Sequence, residues 1–504
     1  MVEAVENRPD VFLIVLDCVS ARALTELLRD PGKLPAMRSF LAGSLWFENA
    51  VTTAPYSQVT HASLLTGLYP WHHQVYYRGA PDLPANIPTL AEILRANDYQ
   101  TFLISANSLV KPPWIGITRG FQTVMLGAGS DTYLRALSPP CPGMTISPGG
   151  VVTASPQPMV KFRSATKRVM RRFPLIVDFP TRMAGRFRSS HPEGRFLASP
   201  WVESKLRSQL ESLSGESPVF GLIGLMDAHE PYIGTELGRL SPIEYLRLLT
   251  TRQDRDGWFQ GRWKPSPSEL ANLEWLYLRT IETLDRRVGR ILEALRASRP
   301  GENSVIVVMS DHGQMFSAQD TIFHAGLLEE EVVRVPLAIQ FPHARHSGKR
   351  STQWVSTVDV MPTILSEAGI PAKWTTDGLV LGAAQEEVRS TPVWTLSDGY
   401  TIGTGKRIPQ ERLDWLDRFG LLAISVEGRL QLPFDVDDAS SVGRLGTEES
   451  TKSVPPDLGG LRQQMLEIQT LICRQVAGRG RGQPDPMAVG DARVRPQYDS
   501  SPNG

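Results

Sequence analysis

Six consecutive apolar residues, VFLIVL at 11–16, are rich in β-branched side chains and stop at Asp17. A run so short and so uniformly apolar suits a strand buried on both faces, as strands are in parallel sheets covered by helices. Similar runs recur at 101–105, 219–225, 304–309 and 336–340, with helical periodicity between several of them. The clearest helix follows the Pro-Ser-Pro-Ser start at Pro265, where Leu270, Leu273, Tyr277, Ile281, Leu284, Val288, Ile291 and Leu295 share one face. It leads into the strand at 304 and reads as core packing without chemistry. Strand and helix in alternation predict an α/β fold: a doubly wound, mostly parallel sheet sandwiched by helices, with a small C-terminal α+β subdomain.

At 504 residues the chain is long enough for one large core with an appendage. The main domain is expected over 1–385. Within it the pattern fails at 126–200, where Pro-, Gly- and Ser-rich stretches surround the basic segment KFRSATKRVMRRF and Arg182, Arg186 and Arg188 follow. This is read as an insertion, a candidate lid. Its bases would attract an anionic substrate or surface, although a solvated loop and helix face is the plainer reading. Residues 386–477 form the expected subdomain, with short strands between 412 and 432 before a helix at 461–476. The tail at 478–504, with GRGRGQPDP and SSPNG, is expected to be disordered.

Charge excludes one class of partner, since 53 basic residues balance 53 acidic ones and basic residues do not interleave with aromatics beyond that one segment. No nucleic acid is indicated. Cys18, Cys141 and Cys473 lie far apart without a CxxC pair, so neither a disulfide framework nor a cysteine-based zinc motif is readable. The acidic, polar start MVEAVENRPD runs into an apolar stretch too short for a signal peptide or a membrane span. A reducing, cytoplasmic setting without a transmembrane segment is the expectation.

Polar clusters fall at the ends of the predicted strands: Asp17 itself, TAPYSQVTHASLLTGLYP at 53–70, MDAHEPY at 226–232 and SDHGQM at 310–315. Each alone is weak. A strand ending in Asp is commonly a loop or helix cap, the 53–70 segment reads equally as a loop entering a helix, MDAHEPY as an ordinary turn, and the Asp-His pair of SDHGQM is suggestive without being decisive. In open α/β sheets, however, ligands bind beyond the carboxyl ends of the strands, where all four clusters converge. Asp17, Asp311 and His312 supply two carboxylates and an imidazole, a set suited to a divalent cation. A serine hydroxyl beside such an ion loses its proton readily, which makes Ser57 a candidate nucleophile. His229 and His324 are placed to bind non-bridging oxygens or to protonate a departing alkoxide, with a structural role as the alternative for each.

The chain resembles the alkaline phosphatase and sulfatase superfamily, in its sulfatase-like branch. The likeness rests on TTAPYSQVTHASLLTGLYP, on SDHGQM followed by FHAG and EEEVVRVPLAIQFP, on STVDVMPTILSEAGIP at 356–371, and on the pair Asp377 and Gly378. It runs in order through 9–385 outside the insertion. By position it implies metal ligands at Asp17, Asp311 and His312, with Ser57 also at the metal. His61 falls where sulfatases carry an arginine near the nucleophile. His229 takes an HxPY-like position that contacts the anionic group, and His324 matches a Lys or His after the second metal segment. Asn107, in ISANSLV, sits where relatives place an Asn or Lys that binds substrate.

Departures from the sulfatase pattern bear on the reaction. Sulfatases use formylglycine made from the Cys or Ser of a CxPxR-type signal, whereas this segment reads Ser57-Gln58-Val59-Thr60-His61, without the Pro and the Arg. An unmodified serine forms a phosphoseryl intermediate that water attacks at phosphorus, so hydrolysis of a phosphate mono- or diester or a phosphonate ester is expected. Cys18 replaces the second Asp of the usual Asp-Asp pair. With His312 present, this favours one divalent ion of manganese, zinc or magnesium over calcium. A second metal would draw on Asp227, His229 and His324. The alternatives are a sulfate-ester hydrolase with formylglycine at position 57, a phospho-group transferase, and a non-catalytic binding protein. The substrate class is a small anionic ester; the leaving group and the oligomeric state are not legible.

Overall fold

The apolar runs become strands of one sheet, and their residues alternate between its two faces. In the computed structural model the described residues are 8–76, 82–107, 116–127, 198–213, 215, 217–230, 232, 241–253, 257–258, 261–299, 303–316, 322–324, 328–371, 373–382, 391–397, 419–424, 429–434 and 459–477. The strands are β1 (Asp10–Leu16), β2 (Leu45–Val51), β3 (Gln100–Ser105), β4 (Thr123–Leu126), β5 (Val219–Leu225), β6 (Ser304–Ser310), β7 (Met315–Phe316), β8 (Ile322–Phe323), β9 (Arg334–Gln340), β10 (Lys349–Ser356), β11 (Val393–Ser397), β12 (Phe419–Ile424) and β13 (Arg429–Phe434). Eight of them form the main sheet in the order β10-β2-β9-β6-β1-β5-β3-β4.

Along β1, Phe12, Ile14 and Leu16 join a core on one face, while Val11, Leu13 and Val15 join a second core on the other. Fully burying each such side chain contributes about 1.5–3 kcal/mol. The helix Pro267–Ser298 covers the first face with Leu273, Tyr277, Ile281, Leu284 and Val288, as its periodicity predicts. Its start is set by Ser266 and Glu269, which form a capping box before Pro267. The helix Ser57–Thr66 lies on the second face, contributing Ala62, Leu64 and Leu65.

All neighbours in the sheet pair parallel except β9, which runs antiparallel to both β2 and β6. The run at 336–340 is thus a strand as expected, but reversed. Among the described residues, the connection from β6 holds only the short β7/β8 pair and the four-residue helix Glu330–Val333, and a chain that turns back without a long crossover pairs antiparallel. β2 and β10 escape the apolar signal because polar residues interrupt them, Glu48 and Asn49 in one and KRSTQ in the other. β10 is an edge strand, where charge and polarity guard against pairing with other chains.

Beyond the main sheet, β11, β12 and β13 form an antiparallel sheet. The helix Gly459–Ala477 packs Leu461, Met465 and Ile472 against it and against Tyr69, Trp71 and Tyr76. The interior of the basic insertion, Cys141 and the tail at 478–504 lie outside the described residues. Among the described residues no helix is long and apolar enough to cross a membrane.

Candidate active site

Register brings the polar clusters to one edge. Leu16 pairs with Leu225 of β5 and with Ser310 of β6, so the chain leaves all three strands at the same level. Asp17, Met226 and Asp311 are the next residues. Asn107 follows β3 and meets Asp17 directly, its Nδ2 donating to Asp17 Oδ2 at 2.6 Å. It therefore reaches the site through that carboxylate.

Asp17, Asp311 and His312 are all buried, at 3%, 0% and 1% exposure. The Asp311 Oδ1 atom accepts from the backbone N–H of His312 at 2.8 Å and of Cys18 at 3.3 Å. Asp17 Oδ1 and Asp311 Oδ2, by contrast, are buried without a hydrogen-bond partner. Burial, and then the Asp311 carboxylate, push the Asp17 carboxyl above its ordinary range. Burial pulls His312 down, but Asp311, Asp17 and the Gly313 carbonyl outweigh it and hold the imidazole above its usual value. Buried carboxylates left with unpaired oxygens are costly unless a cation faces them. The residues therefore fit a divalent metal by donor type and by the two orphaned oxygens.

Ser57 opens the helix Ser57–Thr66, with Tyr56 as its N-cap. Its hydroxyl donates to Asp17 Oδ2 at 3.3 Å and lies 3.4 Å from His312 Nε2. Nine of the ten helix residues are buried, so the polar ones must find partners inside. Thr60 bonds the Ala54 carbonyl at 3.0 Å, Thr66 the Ala62 carbonyl at 2.7 Å, and Ser63 meets His73 Nε2 at 2.8 Å. His61 turns back within the helix, its Nδ1 donating to the Ser57 carbonyl at 2.7 Å. The helix ends at Gly67, whose φ of 67° suits glycine; a Cβ there would also meet Thr376 at 3.0 Å.

The loop before Ser57 is braced from the C-terminal sheet. Leu396 N–H donates to the Thr53 carbonyl at 2.8 Å, Thr395 Oγ1 to the Thr52 carbonyl at 2.6 Å, and the Tyr56 hydroxyl meets Ser397 Oγ at 3.1 Å. Thr52 Oγ1 in turn donates to the Asp311 carbonyl at 2.5 Å, tying the serine segment to the Asp311–His312 segment. Gly313 is needed for a close approach, since a Cβ there would lie 2.0 Å from the Glu331 carbonyl oxygen.

His229 and His324 face each other, with ring centroids 5.5 Å apart, and His324 lies 4.3 Å from the His312 ring. His229 Nδ1 donates to the Glu230 carbonyl at 2.7 Å. His324 is brought in by the β7/β8 hairpin, where its Nδ1 meets Gln314 Oε1 at 2.8 Å and the Gln314 amide donates to the Tyr232 hydroxyl. Asp227 faces the long helix, where Arg287 Nε donates to its Oδ1 at 3.1 Å, and it belongs to neither cluster of metal-type donors found among the described residues. It is held away from the histidines that a second ion would need.

Sequence reasoning missed Gln314, Tyr232 and Tyr277. The Tyr277 hydroxyl donates to the Cys18 carbonyl at 2.8 Å and accepts from Ser20 N–H at 3.0 Å, so the long helix does fix the turn after Asp17. The lone polar tip on an otherwise apolar helix face is the signal that could have found it.

Comparison with known proteins agrees with this architecture. The Sulfatase family model matches residues 9–150 and 250–370, more than half of the chain. The multifunctional alkaline phosphatase superfamily protein PehA of Trinickia caryophylli is 23% identical over 397 residues, covering 72% of this chain and 74% of PehA. The choline-sulfatase of Rhizobium meliloti is 23% identical over 410 residues, 74% and 71% of the two chains. Among solved structures, the phosphonate monoester hydrolase of Agrobacterium radiobacter shares the fold at a TM-score of 0.57 and 16% identity, over 93% of this chain and 96% of that one. The chain therefore belongs to the sulfatase family of the alkaline phosphatase superfamily and is a hydrolase of ester bonds.

Proposed function

We propose that the chain hydrolyses a phosphate monoester, a phosphate diester or a phosphonate ester with Ser57 as nucleophile. One observation carries the reading: Ser57 Oγ stands between Asp17 and His312, at 3.3 and 3.4 Å, in a segment without the Pro and Arg that accompany formylglycine formation. Asp17, Asp311 and His312 would hold a divalent cation with Ser57 beside them. When bound, that cation supplies positive charge that favours the Ser57 alkoxide and offsets the charge of the ester. Manganese, zinc or magnesium suits the site better than calcium, because His312 brings nitrogen and Cys18 stands where relatives have a second aspartate.

In the reaction Ser57 Oγ bonds to phosphorus as the bond to the leaving oxygen breaks. The backbone N–H groups of the first helical turn add partial positive charge where the phosphoryl oxygens gather. His229 or His324 gives its proton to the leaving alkoxide, a contribution of about 10²–10⁴-fold for a positioned acid. Water then attacks phosphorus in the phosphoseryl intermediate and restores the serine. Asn107 holds the Asp17 carboxylate in orientation, and His61 lies one turn behind the nucleophile. The setting is a main domain over 1–385 that includes the 126–200 insertion, a subdomain over 386–477, and a small anionic ester met in the cytoplasm.

A second reading, sulfate-ester hydrolysis with formylglycine at position 57, draws on relatives such as the choline-sulfatase. Initial rates on nitrophenyl phosphate, bis-nitrophenyl phosphate, phenylphosphonate and sulfate esters, with each candidate metal, separate the two. Turnover of a phosphorus ester that Ser57→Ala abolishes is the expected result, a loss of about 10⁴-fold or more. Turnover of sulfate alone, with an intact mass short by two hydrogens, would replace the serine mechanism with the formylglycine one.

A further inference from the structure

Thr52 carries none of the chemistry above, yet it joins the segments that do. It follows β2, is fully buried, and uses each of its polar atoms. Its N–H donates to the Val333 carbonyl at 2.9 Å, just ahead of β9, and its carbonyl accepts from Thr395 Oγ1 of β11 at 2.6 Å. The residue is thereby fixed to both the main sheet and the C-terminal sheet.

Its side chain reaches towards the site. A hydroxyl has a single proton to give and lone pairs to receive with. The proton goes to the Asp311 carbonyl, the shortest of its contacts at 2.5 Å, and the oxygen faces the Thr60 hydroxyl at 2.9 Å. Thr60 stands three positions beyond Ser57 in the serine helix, and Asp311 precedes His312. Thr52 Oγ1 thus touches both segments whose side chains meet at Ser57 Oγ and His312 Nε2, 3.4 Å apart. Branching at Cβ restricts the rotamers of threonine, so this oxygen is held in place.

We propose that Thr52 is a positioning residue for the hydrolysis: its hydroxyl sets the spacing between the serine helix and the Asp311–His312 segment, and Thr395 steadies it from the C-terminal sheet. It touches no reacting atom. Its effect is geometric, since a reacting group displaced by about 1 Å from its productive place can lose about 10²-fold in rate. Substrate binding lies elsewhere, so the loss falls on kcat and not on KM. The inference rests on the functional reading only in taking residue 57 as the nucleophile facing Asp311 and His312, and it holds for either ester class.

The test compares Thr52→Val, Thr52→Ser and Thr395→Val in the full-length protein, loaded with manganese, on whichever phosphorus or sulfate ester the wild type turns over. Thr101→Val is the control. Its Oγ1 also bonds backbone, donating to the Gly120 carbonyl at 2.7 Å and accepting from Gln122 N–H at 3.0 Å, but at the start of β3, away from the strand ends that bear the site. Thr52→Val should lower kcat by about 10–10²-fold with KM within about twofold, and Thr52→Ser should recover to within about threefold of the wild type. Thr395→Val, one step farther out, should lose about threefold in kcat and keeps the test open where Thr52→Val does not fold. Thr101→Val should lose thermal stability and keep kcat. A Thr52→Val protein with wild-type kcat, a Thr52→Ser loss as large as that of Thr52→Val, or an equal loss in Thr101→Val overturns the inference. Turnover of sulfate alone with this pattern intact would strike the serine mechanism and leave the role of Thr52 standing. Ser57-dependent turnover of a phosphorus ester that is indifferent to the Thr52 hydroxyl would strike only this inference. Where the wild type turns over no ester, the manganese dissociation constant decides: Thr52→Val should raise it about 10-fold and Thr52→Ser should not, and an unchanged constant, or no binding by the wild type, overturns the inference.

Discussion

Two acidic corners of the molecule use the same side chain in opposite ways. At the strand ends, Asp17 and Asp311 each keep one buried oxygen without a hydrogen-bond partner. Behind the C-terminus of the serine helix, Asp359 and Asp377 use both oxygens. Asp359 accepts from Ser356 N–H at 2.7 Å and Leu379 N–H at 2.8 Å. Asp377 accepts from Tyr69 N–H at 2.7 Å and meets His72 Nδ1 at 2.9 Å. The Asp377 N–H also donates to the Gly67 carbonyl at 2.8 Å, pinning the end of the helix. The family-typical DG pair is thus architecture that aims the helix, whereas the proposed chemistry draws on buried polar groups that are left wanting.

The largest effect expected from this contrast is on activity. Asp311→Asn should lower kcat/KM by about 10³-fold or more if the proposed reaction holds, since it removes a charge from the proposed metal site. Its metal-free thermal stability should stay level or rise, because one of two mutually repelling carboxylates is gone. Asp359→Ala should do the reverse, losing roughly 1–3 kcal/mol of stability by stranding the buried N–H of Ser356 and freeing the part-buried N–H of Leu379, with far less change per folded molecule in kcat. Chemical denaturation and metal-loaded kinetics on both variants would break the comparison if the two swapped behaviours.

Next in size is the pH dependence of the metal-free protein. Asp17 holds its proton more tightly folded than unfolded, so between the ordinary carboxylate value and its raised one the folded state binds more protons. His312, also raised, contributes stability that is fully present below its unfolded value and lost as pH rises through its folded one. Both signs agree: without metal, stability should fall as pH rises through these windows. Asp311→Asn should flatten the slope, as it removes a neighbour that raises both groups. A midpoint that climbs with pH in the chelated wild type would refute the unsatisfied-pair description.

The corners differ too in how far they were legible in the sequence. Asp17, Asp311 and His312 stood out because each follows an apolar run, and a run of that kind marks a strand end; Ser57 follows the interrupted strand β2 and stood out only through the segment TTAPYSQVTHASLLTGLYP. The central strands were legible for the same reason. The reversal of β9 was not, because direction depends on the connection through β7 and β8, and two-residue strands leave no periodic trace. Asp227 looked like a metal ligand by proximity in sequence to His229, yet burial of Arg287 beside it draws it to the long helix. That partner lies 60 positions away, beyond the reach of any local pattern.

Tyr277 gives the smallest predicted effect, and the most discriminating one. It belongs to neither corner, since it ligates nothing and its hydroxyl is fully partnered, yet those partners are the Cys18 carbonyl and the Ser20 N–H that shape the turn after Asp17. Tyr277→Phe keeps the ring and its packing on Tyr232 and Phe316. It should therefore lower stability by only about 1–2 kcal/mol. Metal affinity should drop by about 10-fold, at the low end of what outer contacts to ligands are worth. Calorimetric metal titration separates this from a purely structural role, because loss of packing alone would shift the unfolding midpoint and leave the dissociation constant in place. A variant that loses stability but binds metal as the wild type does would mean that the turn after Asp17 is held well enough by Asp311 and Ser310 alone, through the N–H groups of Cys18 and Val19.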